Sequence, residues 1–90
     1  MLIALICTDK PDHLDTRKAN RDAHVAYLKS SDVVRQAGPF LNASGEMYGS
    51  LIILEVEDIA QAQHWAAEDP YAKAGLFRDV RIEQWNRVIG

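Results

Sequence analysis

The sequence predicts an α+β domain of β-α-β-β-α-β order, with two helices on one face of a four-stranded antiparallel sheet. Three observations carry this. Four short apolar runs stand between turn signals. Two stretches free of Gly and Pro, with helical composition, follow the first and third runs. Ninety residues suffice for one such unit, 1–90, and leave no room for a second.

The first strand is Leu2 to Cys7, an apolar run stopped by Asp9-Lys10-Pro11. Leu14 to Ser30 carries Ala, Arg, Lys and Leu and reads as helix. Val33 to Phe40 is the second strand, and Pro39 places its end at a sheet edge, because proline has no N–H to donate. Asn42-Ala43-Ser44-Gly45 is turn chemistry, and Tyr48 to Val56 is the third strand. Asp58 is suited to cap a second helix over Ile59 to Glu68, with Gln61 placed to complete a capping box. Asp69-Pro70 stops that helix and opens a short turn that Gly75 closes. Phe77 to Val88 is the last strand, Val80 and Ile82 alternating with Arg81 and Glu83. This order is the ferredoxin-like arrangement.

Composition narrows the function classes. The formal charge is −3, and the ten basic residues form no run, which weighs against a nucleic-acid partner. Cys7 is the only cysteine, so no disulfide forms within the chain, and a reducing, cytoplasmic setting is expected. The three histidines stand at no metal-ligand spacing; neither a metal nor a cofactor is expected. The apolar run at the start is too short to span a membrane.

Two helices cover one face of a sheet, yet Leu2 to Cys7 and Leu51 to Leu54 are apolar at successive positions, hence on both faces. Leaving the second face open forfeits roughly 1.5–3 kcal/mol per large side chain. A second copy of the sheet removes that cost, so a homodimer is expected, with Trp85 on the contact face.

The first helix holds the chemistry. Asp15, Lys18, Asp22 and Lys29 form its solvated side; Leu14, Ala23, Val25, Tyr27 and Leu28 form the opposite arc. In the middle of that arc stand Arg17, Arg21 and His24, which are costly there unless paired or wetted by a cleft. The bland alternative has the arginines snorkelling past the helix edge and His24 satisfied by a core acceptor. Asp69 is suited to cap the turn after it. In this fold it also comes within approach of the first helix, where a carboxylate beside His24 makes a general acid/base. Gly38-Pro39 and Gly49-Ser50 bring small side chains to strand ends, suited either to ligand approach or to turns and bulges. Trp65 and Tyr71 read as packing aromatics.

Asp9-Lys10-Pro11-Asp12-His13, then Arg17-xxx-Arg21-xx-His24-xxx-Leu28, resembles the start of the YciI-like (YCII-related) family. Ala37-Gly38-Pro39, Gly49-Ser50-Leu51, Asp69-Pro70-Tyr71 and Ala74-Gly75-Leu76 continue the pattern in order. The segment between Pro39 and Gly49 is short beside relatives with a longer loop there. The resemblance implies a dimeric α+β barrel with His24 and Asp69 as a catalytic dyad. It also implies a reaction like that of the family's small lyases or dehydrochlorinases, which act on hydroxylated rings. Arg17, Arg21, Pro39, Ser50 and Tyr71 are then the expected substrate-binding residues. The rival expectation is a non-catalytic ligand-binding or accessory dimer, in which His24 and Asp69 form only a structural hydrogen bond.

Overall fold

The structure, a computed structural model, describes all 90 residues. Its elements are β1 (Leu2–Asp9), α1 (Leu14–Ser30), β2 (Val34–Leu41), β3 (Met47–Glu55), α2 (Ile59–Glu68), α3 (Pro70–Lys73) and β4 (Phe77–Trp85). The strands form one antiparallel sheet in the order β2-β3-β1-β4. This is the expected ferredoxin-like α+β fold. No helix is long and apolar enough to cross a membrane.

Two boundaries move by more than one residue. β1 runs on to Asp9, two residues past the expected end, and a register shift at Thr8/Asp9 brings Asp9 opposite Phe77. β4 stops at Trp85 rather than Val88, because only Leu2 to Asp9 of β1 is there to pair with it.

Pairing in the sheet sorts the side chains. Ile3 lies opposite Leu54, Leu5 opposite Ile52 and Cys7 opposite Ser50, so these share the face toward the helices. Ile3, Leu5, Cys7, Ile52 and Leu54 close a core with Val56, Ala62 and Trp65. Trp65 is therefore a core residue, as its sequence context implies. Ala23, placed on the packing arc of α1, is exposed; the arc is narrower than the sequence suggests, and its buried members are Arg17 and His24.

The helices run antiparallel and are pinned near one end. Tyr27 Oη donates to the carbonyl of Trp65 at 2.8 Å, and Trp65 Nε1–H donates to Ser31 Oγ at 2.9 Å. Asp58 caps α2 by accepting from the Gln61 N–H. The Gln61 side chain accepts from Glu57 N–H, one residue earlier than a standard capping box. Gly49 is required by its surroundings: a Cβ there would lie 2.4 Å from the Cys7 carbonyl oxygen and 3.2 Å from the Phe40 ring. Its role is close strand packing, not ligand approach.

The other face of the sheet carries Leu2, Ala4, Ile6, Leu51, Ile53 and Trp85. Ala4 and Ile53 are covered by their neighbours within one chain, whereas Leu51 and Trp85 stand 36% and 41% exposed. The uncovered apolar surface is thus narrower than the run of apolar residues implies.

Candidate active site

A cleft of about 280 Å³ opens between α1 and the β2–β3 edge of the sheet. Arg17, Arg21, His24, Pro39, Ser50 and Tyr71 line it, and Asp69 stands behind His24. The fold therefore brings all seven candidate residues to one place.

Antiparallel packing explains why His24 and Asp69 meet. One turn back from Tyr27 on α1 is His24, and one turn on from Trp65 is Asp69. His24 Nδ1 and Asp69 Oδ1 lie 2.8 Å apart, and both side chains are almost fully buried. The same oxygen accepts the Tyr71 backbone N–H at 2.9 Å, so Asp69 caps α3 and holds the imidazole together. With Nδ1–H donating to the carboxylate, Nε2 carries the lone pair. Nε2 makes no hydrogen bond within the protein, and no unpartnered polar side-chain atom is sealed in the interior, so Nε2 opens to the cleft.

Tyr71, a packing aromatic by its sequence context and also one of the expected substrate-binding residues, is built into the site on both sides. The His24 ring stacks on it with centroids 3.9 Å apart and planes 14° from parallel. The Arg17 guanidinium carbon lies 4.7 Å from the Tyr71 centroid. Arg17 and His24 are two helical turns apart on α1, about 10.5 Å of rise, so the Tyr71 ring fills the space between them. Burial pushes the Tyr71 phenol above its ordinary pKa, with Arg17 and Arg21 pulling against it, so it is a neutral hydroxyl at pH 7.

Arg17 is 2% exposed, and two of its three guanidinium nitrogens are engaged within the protein. Its Nε donates to Asp9 Oδ2 at 2.7 Å; its Nη2 donates to Asp9 Oδ1 and to Ser50 Oγ, each at 2.9 Å. Burial works against its charge, but the bonds to Asp9 outweigh burial and raise its pKa above the ordinary arginine value. Snorkelling is thus the wrong account of Arg17, which turns inward to a carboxylate. It describes Arg21, which is exposed at the rim.

Asp9 is the site residue that the sequence does not announce, because beside Lys10-Pro11 it has the look of a turn residue. Continuing the alternation Ile3, Leu5, Cys7 by two residues turns Asp9 toward the helices and supplies the partner that Arg17 requires.

An α+β sheet with an imidazole–carboxylate pair facing a small cleft defines a ferredoxin-like domain with a candidate site, and comparison with known proteins narrows it. The YCII-related domain pattern matches residues 1–86. The chain belongs to this YciI-like family. It is 34% identical over 99 residues to Protein YciI of Escherichia coli O6:H1, covering 99% of this chain and all of that protein. It is 32% identical over 98 residues to an uncharacterized protein of Haemophilus influenzae, with 99% of this chain and all of that protein covered. Among solved structures it is similar to 5-chloro-2-hydroxyhydroquinone dehydrochlorinase (TftG) of Burkholderia phenoliruptrix AC1100, in complex with 2,5-dihydroxybenzoquinone. That match has a TM-score of 0.89 at 34% identity, over 96% of this chain and 94% of the other. An antibiotic biosynthesis monooxygenase shares the fold alone, at TM-score 0.61 and 16% identity over 99% of this chain and 100% of that chain.

Proposed function

We propose that this chain is a cofactor-independent enzyme that abstracts a proton from a small anionic or phenolic ring compound, followed by elimination or isomerisation. The observation that carries the reading is the His24–Asp69 pair, with Nδ1 held by the carboxylate at 2.8 Å and Nε2 bare in an open cleft. Nε2 takes the proton from a ring hydroxyl or an activated C–H. Asp69 stabilises the imidazolium that forms, and Tyr71 keeps the ring in plane. The electron pair left on the substrate either expels a leaving group as an anion or re-forms as a shifted double bond. In the second case His24 returns the proton to another ring position. Ser50 accepts from Arg17, which leaves its hydroxyl hydrogen free to donate to a substrate oxygen.

The likeness to a dehydrochlorinase holding a dihydroxybenzoquinone supports a hydroxylated ring as substrate. The test is a screen of chlorinated hydroquinones for chloride release, with the same compounds followed by proton NMR for ring rearrangement. Turnover by the wild-type chain that His24→Ala removes is the expected result. Ligand binding without turnover in the wild type would overturn the catalytic reading and leave a binding module.

A further inference from the structure

We infer that the ring compound carries a carboxylate apart from the group that His24 deprotonates, and that Arg21 holds this carboxylate at the mouth of the cleft, with Lys29 adding attraction from about two turns farther along α1. This deepens the proposed function and rests on it. The first observation is the charge of the lining. The chain as a whole is acidic, with 13 Asp and Glu against 10 Lys and Arg. Yet the cleft is lined by Arg17, Arg21 and Lys29 beside His24, and by no Asp or Glu. The carboxylates that meet its lining are already spent, Asp9 on Arg17 and Asp69 on His24.

The second observation is which cations are free. Arg17 cannot grip a ligand carboxylate with its fork, because two of its nitrogens are committed to Asp9 and Ser50. Arg21 and Lys29 are exposed, and neither has an ion-pair partner in the protein. The helix macrodipole gives Lys29 a reason to sit in the last turn, but gives Arg21, in mid-helix, none.

The third is the order of surfaces along the cleft. Arg21, Val25 and Lys29 follow one another at four-residue spacing, so they form a single row on α1. Val25 and Leu28 lie between the two cations, with Pro39 across from α1 on the strand edge. The row thus presents a cation at each end of an apolar stretch, beside the polar groups of His24 and Ser50. A planar guanidinium suits a carboxylate, and the second cation adds an attraction that salt screens.

The test is calorimetric titration of the full chain with two matched ligands, hydroquinone and 2,5-dihydroxybenzoate, at low and moderate salt. Wild type is expected to bind the carboxylated ring about tenfold more tightly, and that ratio is expected to shrink with salt. The double variant Arg21→Gln/Lys29→Gln is expected to bring the ratio near one. Equal affinities in wild type, or a ratio that survives the double substitution, overturn the inference and leave the proposed chemistry standing. If neither ring binds, the proposed substrate class falls and the inference falls with it.

Discussion

Asp9 and Arg17 are joined by two hydrogen bonds of 2.7 and 2.9 Å, with 6% and 2% of their side chains exposed. The pair sits where strand β1 runs under helix α1, and it is the reason an arginine is tolerated on the packing side of that helix. Removing one partner leaves the other charge buried and unmatched.

Asp9→Ala is therefore expected to destabilise the fold by about 3–5 kcal/mol, measured by urea unfolding. Asp9→Ala/Arg17→Met, which removes both charges, should recover much of that loss. A double variant no more stable than Asp9→Ala alone would show that the pair does not act as a unit.

Asp69 serves two partners, so its substitutions separate structure from chemistry. Asp69→Asn keeps an N-cap oxygen for the Tyr71 N–H and an acceptor for His24, but removes the charge that stabilises imidazolium. Turnover on a ring substrate should fall by about 10²–10⁴-fold with little change in melting temperature. Asp69→Ala should lose the same activity and, in addition, about 1 kcal/mol of stability through the missing cap. A fully active Asp69→Asn would remove the acid/base mechanism.

The order of elements is legible in the amino-acid sequence, since it follows from apolar runs and from Pro and Gly punctuation. The polar stripe Arg17, Arg21, His24 is conspicuous there too, because it interrupts an apolar arc. The rest depends on contacts between distant elements. Asp9 is hidden because a turn signal at Lys10-Pro11 masks the last inward position of β1. Tyr71 sits in a four-residue helix too short to have a face, so no periodicity can mark its ring as the spacer between Arg17 and His24. Arg21 and Arg17 look equivalent at four-residue spacing. Only the position of Asp9 and Ser50 makes one a buried strut and the other a free cation.

The uncovered face of the sheet predicts self-association. Leu2 lies beside Trp85, and Ile6 beside Leu51; with Ala4 and Ile53 between them they form an apolar row that runs diagonally from β4 to β3, flanked by Glu55, Arg81 and Glu83. A two-fold copy of the same row would cover it. Sedimentation is expected to give a dimer, and Leu51→Glu, which leaves the helix-side core untouched, should shift the equilibrium toward monomer. A monomeric wild type at tens of micromolar would show that one chain tolerates this face in water.

Stability should decline in alkali. Burial, aided by the charge of Asp69, pushes the Cys7 thiol from 9.0 up to about 12. Burial likewise pushes Tyr27 from 10.0 up to about 12. Both are acids whose folded pKa lies above the unfolded one, so their contribution is fully present below about pH 9. Between about pH 9 and 12 the unfolded chain releases protons that the folded chain retains, and stability falls as pH rises. The thiol alone accounts for at most about 1.4 kcal/mol per pH unit in that window. Denaturation midpoints should therefore drop between about pH 9 and 10.5, and Cys7→Val should flatten the drop. The same burial makes Cys7 inert: a thiol reagent at pH 8 should label the chain only after denaturant unfolds it. Rapid labelling of the native chain would mean that the core around β1 opens far more readily than its packing implies.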